Sequence, residues 1–258
     1  MNQAIKTSIK DRIGYIELNR PEKRNALNAE MVEALKQSLA AMESNDEVKV
    51  IVIKAAGKVF CSGADLAYLQ SLQTNTYEEN LADSRSLKDL FYNIYTSPKI
   101  IIAQIQGHAL AGGCGLATVC DFSFSAEAAK FGYTEVKIGF VPAIVKVFLI
   151  RKIGEGKAKQ LLLDGDLIEA KEAQSVGMIN YVVAEDELED KVYAYAQKLI
   201  RQNSAQSMAL TKQMIGRVQE KSLEDGLEYA ASMNAKARGT SDCKKGIAAF
   251  LNKDKINW

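Results

Sequence analysis

The chain has 258 residues, 47% of them hydrophobic and 25% charged, with a formal net charge of +1; that profile fits a globular protein able to bury a sizeable core without disulfides or metals. Balanced charge argues against nucleic acid as the main partner, because phosphate binding usually leaves a basic excess. Residues 1–16 lack the apolar core of a signal peptide, no run approaches the roughly 18 apolar residues of a membrane span, and the four cysteines and one histidine offer no zinc spacing, so the expectation is a cytoplasmic, metal-free protein with reduced thiols.

Residues 5–9 and 13–18 read as two strands joined by a turn at Lys10-Asp11-Arg12. Asn28 offers an N-cap to a helix whose apolar face is Met31, Leu35, Leu39 and Met42. Residues 48–54 form a nearly continuous apolar run, the pattern of a strand covered on both faces. A loop follows, then helical stretches from 66 to about 95. Pro98 introduces a second apolar strand at 99–105, and the glycine-rich segment 107–115 feeds a helix at 116–120. Residues 122–125 and 130–133 are short strand candidates. Beyond Pro142 helices dominate, at 143–152, 155–163, 169–175, 188–202, 205–218, 223–237 and 242–252, with one strand at 179–183. The order implies an α/β core followed by a helical region, with no internal sequence repeat.

Two segments place small residues after a buried strand. In Lys58-Val59-Phe60-Cys61-Ser62-Gly63-Ala64-Asp65-Leu66, Asp65 stands just ahead of a helical stretch and is suited to cap it, leaving the Gly63–Ala64 backbone free to expose an N–H. In Gly107-His108-Ala109-Leu110-Ala111-Gly112-Gly113-Cys114-Gly115, glycines at a helix start let a ligand approach unpaired N–H groups at the positive end of the helix dipole. Neither carries a P-loop or a GxGxxG fingerprint, which disfavours nucleotide chemistry.

Taken together, the motifs resemble those of the crotonase (enoyl-CoA hydratase/isomerase) superfamily. Asn19-Arg20-Pro21-Glu22-Lys23-Arg24-Asn25-Ala26-Leu27-Asn28 is similar to its CoA-loop signature, and 60–66 and 106–117 to its two oxyanion-hole loops. Cys120-Asp121, the stretch 131–139, Leu163-Asp164-Gly165-Asp166, 170–177 and Ala248-Ala249-Phe250 continue the pattern in order over essentially the whole chain. The resemblance implies a ββα-spiral core over residues 1–200 and a C-terminal helical region, 201–258, that builds trimers or hexamers. It implies an acyl-CoA substrate whose thioester oxygen lies between the N–H groups of Ala64 and Gly112. Coenzyme A is part of that substrate, and no separate cofactor is expected. Arg24, Ala26, Ala64, Asp65, Leu66 and Gly112 are the implied substrate-binding positions, and Lys253 matches a position that reaches a neighbouring subunit's CoA phosphates. Homo-oligomers are implied, with neither a nucleic acid nor a membrane as partner.

The carboxylates depart from the family pattern. Many of its hydratases carry two glutamates that hold a water between them, the first three residues after the oxyanion glycine. Here that position is Gly115, while the second is kept as Glu135. Small and apolar neighbours are expected to raise the pKa of Glu135 toward the range useful for proton transfer. The resemblance favours a hydratase with Glu135 as acid/base. A single glutamate also fits Δ3,Δ2-enoyl-CoA isomerisation, and a thioesterase, a decarboxylase or a non-catalytic RNA-binding member shares the scaffold. Asp65 is expected as a helix cap, Glu78 and Glu79 as a solvated face, and His108 as structural. Tyr68, Phe140, Val141, Ile144 and Phe148 are candidates to line an acyl pocket or the core. Residues 131–151 are similar to a branch that includes methylglutaconyl-CoA hydratases, for whose acyl group Lys137, Lys146 and Arg151 would be the basic candidates.

Overall fold

Asp11 and Arg12 both take left-handed φ angles, 50° and 65°, the two-residue geometry that matches the twist of a hairpin. They join β1 (Ile5–Lys10) to β2 (Ile13–Leu18) in antiparallel register. The computed structural model describes residues 3–256 and 258. The Asn28 side chain accepts from Met31 N–H and starts α1 (Ala29–Ser44), which buries Met31, Leu35, Leu39 and Met42.

A ββα order then recurs along the chain. β3 (Val50–Ala55) and β4 (Val59–Cys61) precede α2 (Leu66–Ser71) and α3 (Tyr77–Thr96). β5 (Ile100–Ile105) and β6 (His108–Leu110) precede α4 (Gly112–Val119). β7 (Phe122–Ala126) and β8 (Lys130–Gly132) precede a 3-10 turn at Glu135–Ile138 and then α5 (Val145–Ile153). α6 (Glu155–Asp164), β9 (Ile168–Glu169), α7 (Ala170–Ser175), β10 (Tyr181–Val183) and α8 (Leu188–Gln202) complete the sheets and their cover. Last come α9 (Ala205–Val218), α10 (Leu223–Arg238) and α11 (Ser241–Asn252).

The first strand of each recurring unit enters a six-stranded sheet, β1-β2-β3-β5-β7-β10, and the second enters a four-stranded sheet, β4-β6-β8-β9. The large sheet is parallel from β2 to β10. Its central strands alternate in a way that explains their continuous hydrophobicity: Ile51, Ile53, Ile101 and Ala103 face a core shared with α1, α3 and α4, while Val50, Val52, Ile100 and Ile102 face α8 through Leu188, Val192, Ala196 and Leu199. Each of these buried Ile, Val and Leu side chains contributes about 1.5–3 kcal/mol.

The structure corrects the expected elements in places. β4, β6 and β9 were not anticipated, so the two glycine-containing loops hang on the small sheet and not directly on the buried strands of the large one. α4 begins at Gly112 and not at residue 116. The helical stretch after residue 66 breaks at residues 72–76, where Thr76 and Glu79 form a capping box that restarts it as α3.

Helix C-termini are closed by lysines from elsewhere in the chain. Lys99 Nζ donates to the Met42 and Asn45 carbonyls after α1 (2.7 and 2.6 Å), and Lys49 Nζ to those of Ile200 and Asn203 after α8 (2.6 and 2.7 Å). Lys152 Nζ donates to the Thr118 and Cys120 carbonyls after α4 (2.8 and 3.1 Å). Lys212 reaches the Ile94 carbonyl near the end of α3 and pairs with Asp121 at 2.7 Å. Each ammonium satisfies orphan carbonyls and offsets the negative helix end.

Candidate active site

β4, β6 and β8 lie side by side and parallel, and the chain leaving each C-terminal end carries a chemically distinctive group. Crevices beyond the carboxyl ends of parallel strands are where open α/β sheets bind ligands.

After β4, Ala64 forms a parallel bridge with Leu27. Leu27 N–H donates to the Gly63 carbonyl (2.7 Å) and Asp65 N–H to the Leu27 carbonyl (2.8 Å). That pattern uses the groups flanking Ala64 and turns its own N–H to the other side, where it has no acceptor among the described residues. Asp65 caps α2 by accepting from Ala67 and Tyr68 N–H, and it pairs with Arg20 at 3.3 Å. Ser62 N–H donates to the Arg24 carbonyl at 3.1 Å. Residues 20–28 are thereby stitched to the Cys61–Asp65 loop, so Arg24, Ala64, Asp65 and Leu66 come together as one surface, with Ala26 buried beneath it.

After β6, Ala111 adopts φ 49° and ψ −124°, a conformation that costs a residue with a side chain of order 1–3 kcal/mol. Two contacts hold it. Its N–H donates to the Gly132 carbonyl at 2.7 Å, and its methyl packs over Gly63, where an added Cβ would come within 2.6 Å of it. Gly63 is itself left-handed, φ 88°, so only glycine suits both demands. The strained residue starts α4 abruptly, and the Gly112 N–H, in the first turn, has no acceptor among the described residues. Gly63 and Gly112 are adjacent: a Cβ on Gly63 would lie 3.3 Å from the Gly112 nitrogen.

After β8, Glu135 opens the 3-10 turn. It is only 8% exposed, and its Oε2 has no hydrogen-bond partner among the described residues. Burial pushes its carboxyl above the ordinary glutamate range. A buried carboxyl oxygen without a partner calls for an explanation; Glu43 Oε1 on α1 shares that state, and what sets Glu135 apart is its place at the end of β8 beside the other two loops.

A buried hydrogen-bond chain ties this turn to α4. Thr118 Oγ1 donates to the Cys114 carbonyl at 2.7 Å, which commits its proton, so the Tyr133 hydroxyl, 3.1 Å away, is the donor to Thr118 Oγ1. Together with the bond from Ala111 to Gly132, it holds Gly112 and Glu135 in one frame. The nearby thiols of Cys61, Cys114 and Cys120 are pushed up to about 12 by burial, so they are inert packing groups.

Residues 8–258 match the model of the enoyl-CoA hydratase/isomerase family. The chain belongs to this family. A Thermus thermophilus protein bearing an enoyl-CoA hydratase name is 43% identical over 95% of this chain and 96% of its own length. A crotonyl-CoA hydratase from Syntrophomonas wolfei is 34% identical over 96% and 95%. The crystal structure of an enoyl-CoA hydratase from Shewanella pealeana superposes with a TM-score of 0.93 at 26% identity, over 99% of this chain and 96% of that one. The expected crotonase-like α/β fold is therefore observed, and the protein is an enzyme of the hydratase/isomerase type that acts on acyl-CoA.

The packing around Gly115 leaves no room for a second glutamate at that position. A Cβ built there would fall 2.2 Å from Val145 Cγ1 and 3.2 Å from Phe91 Cε1. The space that a side chain at 115 would need is filled by two residues that sequence reading did not single out; only their distance in the fold, and nothing in their local pattern, links them to Gly115. Lys253 follows α11, whose neighbours are α9 and α10, not the strand ends. His108 is exposed, and its Nδ1 accepts from Lys130 N–H at 3.1 Å. Tyr68 gives its hydroxyl to Asp83. Glu79 serves the capping box, and Lys137 pairs with Asp166. Phe140 and Val141 are exposed, while Phe148 and Arg151 line a separate cleft.

Proposed function

We propose that this enzyme adds water across the double bond of a 2-enoyl-CoA, with the thioester oxygen held by the N–H groups of Ala64 and Gly112 and with Glu135 as its acid/base. The observation that carries this reading is that two backbone donors without acceptors and a buried glutamate whose Oε2 has no partner among the described residues follow neighbouring strand ends. In the first step ionised Glu135 takes a proton from water as its oxygen bonds to C3, and the π electrons move onto the thioester oxygen. In the second, the enolate collapses and Glu135 returns the proton to C2. Each donor in such a hole is commonly worth about 10²–10³ in rate. The hydratase names of the relatives support hydration. Arg24, Ala26, Asp65 and Leu66 would flank the CoA moiety.

A second reading is favoured by the packing of Val145 on Gly115. With no room for another carboxylate, Glu135 alone suits a 3-enoyl-CoA, taking a proton from C2 and delivering it to C4. One experiment separates the readings. Hydration bleaches the conjugated enoyl absorbance of crotonyl-CoA and adds the mass of water. Isomerisation creates that absorbance from a 3-enoyl-CoA at constant mass. Glu135→Gln should lose about 10²–10⁴ in turnover while acyl-CoA binding persists. Unchanged turnover in that variant overturns the proposal.

The assembly proposed is a trimer or hexamer built through residues 201–258, supported by exposed Leu223, Leu227, Ile247, Phe250 and Leu251 on α10 and α11. Lys253 would then approach a neighbouring subunit's CoA. Light scattering of the purified protein tests this, and a monomer at micromolar concentration refutes it. The buried free thiols fit a reducing compartment, the cytoplasm.

A further inference from the structure

A cleft of about 800 Å³ opens at the far end of α4, between α3, α4, α5 and α9. Its wall is one helical turn beyond the layer that covers Gly115. On α3 the covering residue is Phe91 and the cleft residue Tyr95; on α4 the pair is Gly115 and Thr118; on α5 it is Val145 and Phe148. The rings continue from layer to layer, with Phe91 to Phe148 centroids at 6.1 Å and Tyr95 to Phe148 at 5.3 Å. At a rise of about 1.5 Å per residue, the cleft begins roughly 10 Å from the Gly112 end of the helix. Val145 is 4% exposed and Phe91 fully buried, so the intervening layer is closed.

The other flanks of α4 near Gly112 are also closed. Gly113 lies against the Cys61 carbonyl, and Gly112 faces Leu27 and Gly63. An acyl chain running inward from a thioester at Gly112 therefore meets the Gly115 face, where α4 carries no side chain of its own and Val145 and Phe91 form the stop. We propose that Val145, backed by Phe91, is the chain-length gate of this enzyme: it confines the acyl group to short chains and separates the site from a cleft roomy enough for longer ones. The inference rests on the proposed acyl-CoA reading of the site and adds to it the class of acyl group accepted.

The test compares wild type with Val145→Ala on straight-chain 2-enoyl- and 3-enoyl-CoA esters of four to ten carbons, alongside calorimetric binding of the saturated butyryl-, hexanoyl- and octanoyl-CoA. Wild type should lose about tenfold or more in kcat/KM for each step beyond the chain that fits, since overfilling a tight apolar pocket is costly. Val145→Ala should raise kcat/KM on the longer esters about tenfold relative to the four-carbon ester, and shift saturated-ester affinity in the same order. An unaltered length preference in turnover and binding overturns the gate. Should Val145→Ala fail to fold, Phe91→Leu thins the same layer from the other side and is expected to shift the preference in the same direction; no shift there also overturns it. If no acyl-CoA of any length binds, the proposed function fails; if all bind but the preference stays put, only the gate does.

Discussion

Gly115→Glu adds a second carboxylate one helical turn from Gly112, and the packing predicts that it fails alone. The new Cβ would lie 2.2 Å from Val145 Cγ1 and 2.8 Å from Val145 Cβ. Neither is the end of a flexible chain, because Val145 is β-branched and belongs to the first turn of α5. Overpacking of this kind costs about 1–3 kcal/mol. The carboxylate would also be carried into an apolar layer with no partner, adding about 1–3 kcal/mol more. A combined loss of about 4 kcal/mol lowers Tm by roughly 10 °C in a chain of this length. Thermal unfolding followed by circular dichroism, with crotonyl-CoA hydration measured on the same samples, reads both quantities. Gly115→Glu should be destabilised with no gain in hydration. Combining it with Val145→Ala should recover part of the stability and raise hydration above wild type. A single variant with wild-type Tm would show that α5 yields easily, and the steric account of Gly115 would be wrong.

Four further outcomes are expected. Glu135 has a raised pKa because it is buried, so as sole base it should make kcat/KM fall on the acid side with a midpoint above the ordinary glutamate value of about 4.3; a midpoint at or below it counts against Glu135. The same shift means that the native state holds its proton more tightly than the unfolded chain, so stability drops as pH rises from the unfolded pKa to the native one, and Glu135→Gln should be more stable than wild type at neutral pH in urea unfolding. Lys212→Met takes from the half-buried Asp121 the ammonium bound to it at 2.7 Å, which should cost about 1.5–3 kcal/mol in the same assay; a loss below about 0.5 kcal/mol would mean that solvent and the neighbouring Lys152 compensate. Gly63→Ala strains a left-handed residue and pushes the Ala111 methyl, 2.6 Å from the new Cβ; kcat should fall more than about tenfold, and retained kcat would separate this contact from the donor geometry.

Most large elements were legible because their signals are long or chemically specific. The Asn28 cap, the apolar stripe of α1 and the runs in β3 and β5 each state their environment in one stretch of sequence. β4, β6 and β9 were not legible, since two or three residues cannot display a period. Without them the ββα recurrence was legible only through the family resemblance, because it exists in the order of sheets and not in any repeated wording of the chain. The glycines of both loops pointed to exposed N–H groups, yet the strain at Ala111 and the methyl over Gly63 arise only when two strands stand side by side. The Val145 contact joins residues 30 positions apart through helix packing, so no local pattern announces it. Nor does any local pattern announce that the Tyr68 hydroxyl is bound to Asp83 on α3.

Lys152 closes the C-terminal end of α4 through the Thr118 and Cys120 carbonyls, whereas Ala111 offers the N-terminal end no side-chain cap. The helix is thus neutralised at one pole only. Its remaining potential, centred on the Gly112 N–H, is installed once, when the chain folds, and is not reassembled in each catalytic cycle. A reaction that gathers charge there finds its dipoles already oriented, so little reorganisation energy is left to supply at the moment of bond making. Lys152 sits at the other end of the eight-residue helix from Gly112, so the helix is answered at its carbonyl end while its N–H end stays electrically unanswered.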